Sequence, residues 1–593
     1  MLGIDSESNL WPRSESALAL LPAGDCQQAA ALLGCPMADA ERQLRELAQQ
    51  GAVQLRILPA PGWLRFEWQD AARASALEHL LSVNAWLLPE IYRRSQSFLD
   101  ESPLEQWTRD ALQVASPPLW AILVAGRMCR RWLQLHDPAR VWNLLVGCVS
   151  LRHLRCANLQ CCAIWALIMQ QQFDLAEDWL NQLDGVAWIQ DPVLPLPEPD
   201  ATVRALRMWL NYYRDLEMPR ALRLERLERC MEAPTILQPM LLNQYAVLQY
   251  SSGNVEITRC SAERSAASAE ALGNLVQYQL ARGWMMAAQF MLGNALAAWL
   301  QLQFDAEALQ RRCDRAVDPT DPALMIARAI HQGCQAYLCY EANQIQEAQT
   351  LLSQSRQILV GTELGLPKLL AAITQAKLYL DRDDIAGCEA LLGALDVLPD
   401  SQRNPRIRAI LCYERMRARW RAGRRADDLI AHYDLHSRCV RVETLFQDTY
   451  QEEHLYWLKG KLVACLMDDD AAAASELALK GVIKSMGLNC RRHLVTFYLF
   501  KALAEKRLQR ESDAVDSFNQ ALLLCQNAGY RRVLVDDGAG LWDLWLQMRQ
   551  QRSFLPQLTL AFLQSVHEDL QLANPSLAAP KSVASRLPGA IVC

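Results

Sequence analysis

The sequence predicts an all-α protein: an α-solenoid of helical hairpins preceded by one small domain with β structure. Three observations carry that expectation. Two stretches offset by about 40 residues are near-copies, Ala336-Tyr-Leu-Cys-Tyr-Glu-Ala-Asn343-Gln-Ile345 and Ala376-Lys-Leu-Tyr-Leu-Asp-Arg-Asp383-Asp-Ile385. In each, a helical pattern stops at a short polar hinge and restarts with apolar residues at i, i+3, i+6 and i+7 (Ile345, Ala348, Leu351, Leu352; Ile385, Cys388, Leu391, Leu392). Finally, strand-like alternation is confined to the first 70 residues or so, while Leu, Ala, Gln, Glu and Arg dominate the remainder.

The N-terminal segment reads as three short helices and a hairpin. Ser16–Leu21 is the first helix; Asp25 caps a second over Cys26–Leu33, ended by Gly34; Ala38–Gln49 is the third. Val53, Leu55 and Ile57 then alternate with Gln54 and Arg56, Pro59–Gly62 turns the chain, and Trp63–Trp68 returns. Helices followed by a hairpin make a winged-helix-like domain over residues 1–82. From Asp70 the pattern is helical almost without pause. Trp107–Ala115, Leu119–Leu135, Ala139–Val149 and Leu151–Met169 read as helices, and a hinge at Gln172–Ala176 leads into Ala176–Leu183. These first helical repeats occupy 83–190, and a Pro-rich loop, 191–200, interrupts the array. Hinges then recur near Gly253, Gly293, Asn343, Asp383, Gly423, Asp469 and Arg510, most of them about 40 residues apart, so 201–530 is a TPR-like array of hairpins longer than the tetratricopeptide unit. Segments at 318–322 and 399–405 read as loops between repeats. C-terminal helices follow over 531–573, and 574–593 is expected to be a disordered tail.

With 593 residues, 51% hydrophobic and 21% charged, the chain has ample apolar surface for several cores. A net charge of −6 provides no general attraction for nucleic acid or an acidic membrane face. The 19 cysteines form no CxxC pair and read as reduced, packed thiols, and the first residues lack a secretory pattern, so a cytoplasmic protein is expected. The uncharged run Gly283–Phe304 is long enough to span a bilayer, but Gln289, Asn294, Gln301 and Gln303 interrupt it and Gly293-Asn294 falls at a hinge; it is read as a buried hairpin, with no membrane partner.

Candidate sites are few. Arg415, Arg417, Arg419, Trp420 and Arg421 lie in the densest basic run and are the candidate contacts for an anionic ligand or acidic partner, weighed against a solvated outer face. Arg42 and Arg45 on the third helix are the candidate DNA contacts, but Asp39, Glu41 and Glu46 offset them, so direct nucleic-acid binding is disfavoured. Asp428, His432, His436 and Cys439 have ligand-like spacing on one helix, yet no second element completes a set, and no metal site is assigned. Neither a phosphate loop nor a nucleophile motif occurs, so no catalytic residue, cofactor or enzymatic activity is expected. The 18 tryptophans, among them Trp107, Trp120, Trp142, Trp165, Trp179, Trp188 and Trp209, read mainly as packing between repeats, with aromatic platforms for a ligand as the alternative.

Two stretches, Gly62–Leu77 and Gly529-Tyr-Arg-Arg-Val-Leu-Val-Asp-Asp-Gly538, together resemble segments of the MalT-like, large LuxR-type family of ATP-dependent transcriptional regulators, in family order and with the repeats between them. Glu67 and Trp68 stand where that family tends to have histidine, and the family's ATPase module and C-terminal helix-turn-helix have no counterpart in this sequence. The resemblance therefore implies the winged-helix and sensor regions only. It implies a sensor or adaptor whose concavity binds an inducer or protein partner, the partners including full-length relatives or a separately encoded ATPase. A pure interaction scaffold is the alternative, and a DNA-binding winged helix the third reading.

Overall fold

The computed structural model of the chain describes residues 15–57, 64–83, 85–95, 99, 101–114, 117–146, 157–170, 172–183, 199–214, 228, 237–315, 321–360, 362, 365–398, 405–444 and 452–573. The described residues are mostly helical, with one small three-stranded sheet. The hairpin tip Pro59–Gly62, Trp188, most of the Pro-rich segment and the segment 574–593 lie outside the described residues.

After a 3-10 turn over Glu15–Leu20 come β1 (Ala23–Asp25), α1 (Cys26–Leu33), α2 (Met37–Gln49), β2 (Val53–Ile57), β3 (Leu64–Trp68) and α3 (Asp70–Val83). The sheet order is β1-β3-β2, antiparallel throughout, with Leu55 opposite Phe66 and Gly24 opposite Phe66 on the other side. Alternation on β3 buries Leu64, Phe66 and Trp68, and the Trp68 indole donates to the Leu18 carbonyl at 3.1 Å. The Asp25 cap forms as the sequence predicts, as a reciprocal capping box with Gln28, and Gly34 ends α1 at φ 69°. The strand β1 was not expected: three residues containing a glycine carry no alternation to detect.

The helices continue as α4 (Leu88–Ser95), α5 (Glu101–Leu112), α6 (Leu119–Gln134), α7 (Pro138–Val146), α8 (Ala157–Met169), α9 (Phe173–Asn181) and α10 (Pro199–Arg214). The hinge expected at Gln172–Ala176 is shorter than that, with Gln172 as the N-cap and α9 beginning at Phe173 instead of Ala176, because Phe173 and Leu175 already pack against the core that α8 and α10 share. Then come α11 (Gln238–Ser251), α12 (Val255–Ala271), α13 (Leu275–Met291), α14 (Ala295–Arg315), α15 (Pro322–Glu341), α16 (Ile345–Leu359), α17 (Gly365–Asp381) and α18 (Ile385–Asp396). After them are α19 (Pro405–Arg421), α20 (Asp427–His432), α21 (Leu435–Thr444), α22 (Glu452–Met467), α23 (Ala471–Gly487), α24 (Arg491–Arg507), α25 (Glu511–Ala528), α26 (Arg532–Asp536), α27 (Trp542–Gln551) and α28 (Leu560–Ala573).

Hinge chemistry sets these boundaries. Asn343 and Asp383 adopt left-handed φ values of 65° and 60°, and the next amide in each turn, Gln344 or Asp384, closes back on Cys339 or Tyr379 at 2.8 and 2.9 Å. Asn and Asp enter that region more readily than other non-glycine residues. Near the expected Arg510 hinge it is Gln509 that takes the positive φ, and Gly273 and Asn489 mark further turns between successive hairpins. Ala348, Leu352, Cys388 and Leu392 are fully buried, as the repeat pattern implies, each leucine contributing about 1.5–3 kcal/mol. Gly293 breaks the uncharged run at φ 83°, and among the described residues no helix is long and apolar enough to cross a membrane.

Each second helix packs on its predecessor, while first helices of neighbouring hairpins also touch: α11 on α13, α13 on α15, α15 on α17, and α22 on α24. The chain also comes back upon itself: α22 meets α11, α24 meets α13, and α26 meets α15. The first helices of the early and late hairpins therefore face one another. One apolar cluster joins Met286, Phe290 and Leu338 to α19, α22 and α24–α28. A separate core lies within residues 17–248; the residue after α6, Leu135, packs with Val276 of α13 and Ile330 of α15 in a third small cluster, and Arg131 of α6 pairs with Asp321 before α15 at 3.1 Å.

Candidate ligand-binding face

The face-to-face helices carry an unusual load of charge. Glu341 at the end of α15 meets Lys377 of α17 at 3.4 Å and Arg492 of α24 at 3.2 Å, all three largely buried. Against them lies α26, aimed by the turn at Gly529 (φ 77°). Tyr530 packs its ring on Phe290 and donates its hydroxyl to the Phe290 carbonyl. Arg532 binds Asp536, Asp381 and Asn343. Asp536 accepts the Tyr340 hydroxyl at 2.8–2.9 Å; Asp537 accepts Thr496 at 3.0 Å and Tyr413 at 3.2 Å. Arg417 sits between these two carboxylates at 3.5 Å from each and pairs with Glu414 at 2.7 Å. Burial would raise the Asp536 carboxyl, but Arg532 and Arg417 outweigh it and hold it well below the usual carboxylate range.

Beside this bolt runs a polar chain across α19, α22 and α24. The Lys459 ammonium donates to His493 Nδ1 at 2.9 Å, and His493 Nε2 lies 3.0 Å from Glu452, which pairs with Arg406 at 2.8 Å. That pattern selects the Nε2–H tautomer of a neutral imidazole. Burial pushes His493 down to about 4 and Lys459 down to about 7. Burial opposes ionisation of Glu452, yet Arg406 and His493 bring its carboxyl down to about 2. Lys459 stands between the Tyr456 and Tyr413 rings at 4.1 and 4.4 Å, and Arg406 lies over Tyr250 and Trp284 at 5.1 and 5.9 Å. Tyr250, Trp284, Tyr337 and Tyr456 keep part of their surface exposed at this end of the face.

The basic run expected to act together is divided by the fold. Arg417 enters the buried bolt. Arg415 turns to Asp396 (2.8 Å) and Tyr433, Arg419 pairs with Glu389 and Asp428, Trp420 packs against Phe500 in the core, and Arg421 is exposed. Arginines two apart on α19 lie on opposite sides of the helix, and neighbours from α18, α20 and α26 claim them separately. Arg42 and Arg45 are exposed on α2 and pair there with Asp39 and Glu41. The helix expected to hold Asp428, His432, His436 and Cys439 is broken: α20 ends at His432, Asp434 is left-handed, and α21 starts at Leu435. His432 pairs with Asp396, and the Cys439 thiol donates to the Trp457 carbonyl. Among the described residues no group of His, Cys, Asp and Glu is placed to hold a metal ion. Of the tryptophans, Trp165 and Trp209 pack edge to face in the core, while Trp284, which the sequence did not single out, borders the charged face.

Sequence reasoning missed Glu341, Lys377, Glu452, Lys459, Arg492 and His493; Arg406 lies within the dense basic run but is not one of its five candidate contacts. A signal was present for two of them: Lys459 has Leu455, Tyr456, Leu462 and Val463 at i±3 and i±4, and Glu341 has Tyr337, Leu338 and Ile345 there, whereas the others have polar residues at two of those four positions. The Val535-Asp536-Asp537 stretch, singled out for its resemblance, supplies the two carboxylates at the centre. No protein-family model and no curated protein matches the sequence.

Proposed function

We propose that the chain is a sensor or adaptor: a winged-helix-like module followed by an α-solenoid of TPR-like hairpins whose inner face binds an inducer or a protein partner. One observation carries this reading. Charged and tyrosine side chains concentrate on the first helices of the hairpins where these face one another, rather than in the seams between repeats, and one end of that face keeps aromatic and guanidinium surface exposed. A scaffold that served only to pack would place apolar residues there, since an ion pair moved from water into a core rarely gains over a hydrophobic pair. Ligand binding at Arg406 and Trp284 would be transmitted through Glu452, His493 and Lys459 to Asp537 and α26, changing how firmly the late hairpins close on the early ones. The MalT-like resemblance fits this role, with any ATPase acting from a separate chain and the protein working in the cytoplasm.

The test is native mass spectrometry of the intact chain purified from its own host, beside an Arg406→Glu, Trp284→Ala variant. A small molecule or stoichiometric polypeptide retained by the parent and lost by the variant supports the reading; equal retention by both, or a bare parent chain, refutes it. A scaffold reading is favoured by a different feature. Leu296, Leu300 and Phe304 form an exposed apolar stripe on α14, and Leu479, Ile483 and Met486 form one on α23. Retention of a partner by the parent that survives the inner-face variant but not Leu300→Lys would favour that alternative. Direct DNA contact by α2 gains no support from Arg42 and Arg45, whose charges are matched on their own helix.

A further inference from the structure

Most buried tyrosines near the face use their hydroxyls. Tyr340 donates to Asp536, Tyr413 to Asp537 and Tyr530 to a carbonyl, and Tyr433 meets Arg415. Three do not. Among the described residues the hydroxyls of Tyr250 on α11, Tyr337 on α15 and Tyr456 on α22 form no hydrogen bond to protein, although their rings are packed on Trp284, Phe290 and His493 respectively. These phenols lie near enough to influence one another electrostatically in every pairing. Tyrosines that come from three separate helices, with rings half-buried and hydroxyls that make no hydrogen bond among the described residues, are a prepared set of donors. Arg406 borders Tyr250 and Tyr456, and Arg492 borders Tyr337 and Tyr456. Each guanidinium is already matched by a carboxylate, Glu452 or Glu341, so the surroundings begin near neutral.

Resting on the inner-face reading, we propose that Tyr250, Tyr337 and Tyr456, with Arg406 and Arg492, bind the oxyanion group of a small carboxylate or phosphate compound, and that Lys459 takes up a proton as it binds. The donors fit that chemistry: three O–H groups and two guanidinium edges address an acceptor-only group, and Trp284 offers a flat apolar wall to the remainder of the ligand. The proton follows from charge balance. Lys459 faces Glu452 and Tyr456 on its own helix, Tyr413 and Glu414 on α19, Arg492 and His493 on α24, and Asp537 after α26. It is the one of these whose ordinary charge burial has brought to the edge of neutrality, at about 7. An arriving anion favours its charged form. Proton uptake on binding should therefore grow as the pH rises through about 7.

Calorimetric titration of the full chain with benzoate, inorganic phosphate and benzyl alcohol, in buffers of different ionisation enthalpy, tests both statements. Saturable binding of benzoate or phosphate but not of the alcohol is expected, with proton uptake rising from pH 7 to pH 8. The two anions distinguish a carboxylate from a phosphate ligand. Each Tyr→Phe substitution, which keeps the ring, should weaken binding about tenfold. Lys459→Met should abolish the uptake; it also checks the site if the combined Tyr250→Phe, Tyr337→Phe, Tyr456→Phe variant does not fold. Benzyl alcohol binding as well as benzoate would overturn the oxyanion class while leaving the inner face as a ligand site. Absence of binding by all three probes, or anion binding indifferent to Tyr250→Phe, Tyr337→Phe and Tyr456→Phe, would overturn the site, whereas the sensor reading is judged separately by what the host-purified chain retains.

Discussion

Arg417→Met isolates the contribution of the central charge in the bolt. The parent side chain is about 3% exposed and serves three carboxylates, Glu414 at 2.7 Å and Asp536 and Asp537 at 3.5 Å. Methionine fills much of the volume but leaves those carboxylates short of one charge, and removing a single partner from a buried ionic cluster costs about 3–5 kcal/mol. Arg532 still binds Asp536, and Tyr340, Tyr413 and Thr496 still donate, which places the loss toward the lower end. At about 1.4 kcal/mol per factor of ten, amide protection over Val533–Asp537 should fall about 100-fold or more in hydrogen exchange. Arg421→Met, four residues on and exposed, should change protection by less than about 0.5 kcal/mol. Because Asp536 is held below its usual range, its stabilisation is full above the unfolded carboxyl pKa and fades as pH falls toward the folded value. Arg417→Met raises that folded value, so less stabilisation remains to be lost in acid, and protection of α26 starts lower and varies less with pH below 4. Adding Asp537→Asn to Arg417→Met should recover part of the loss. Protection within threefold of the parent would refute the claim that this cluster holds α26 in place.

Tyr340→Phe removes the donor to both oxygens of Asp536 and should cost about 1–3 kcal/mol in urea unfolding, with α26 amides exchanging first. Two glycines separate strain from crowding: Gly273→Ala meets open space at φ 66° and should cost about 1 kcal/mol, whereas Gly253→Ala at φ 75° would bring a Cβ 2.3 Å from the Leu488 carbonyl and should cost more, read as the difference in Tm. Burial alone holds His331 down to about 4, below its unfolded value, so unfolded chains bind the extra proton and stability falls as pH drops from 6.5 toward 4. His331→Phe should flatten the Tm profile across that window by an amount of order 3 kcal/mol at most; an unchanged slope would show that the ring is not the group responsible.

Local rules carried far along this chain. The Asp25 cap, the Gly34 stop, the alternation at Val53–Ile57 and the polar hinges at Asn343 and Asp383 are legible because capping, pleating and left-handed turns depend on residues only a few positions apart. The seam positions Ala348, Cys388, Leu352 and Leu392 follow for the same reason, since a repeated period implies a repeated contact. Where a boundary was misplaced, as at Gln172 and Tyr433-Asp434, neighbouring helices claimed the side chains that decide it.

The site was another matter. By itself the sequence determined that the chain is mostly helical, with a small early sheet and recurrent hinges, and it displayed a dense basic run on α19. Only the tertiary structure decided that Arg417 of that helix enters the buried cluster while Arg406 turns to Glu452, that Asp536 and Asp537 meet Arg417 after a separation of about 120 residues, and that Tyr250, Tyr337 and Tyr456 lie near one another. Charge in a sequence has a sign and a position but no direction. Direction comes from the return of α22, α24 and α26 onto α11, α13 and α15, a closure set by the sum of many small turns between hairpins and encoded in none of them singly.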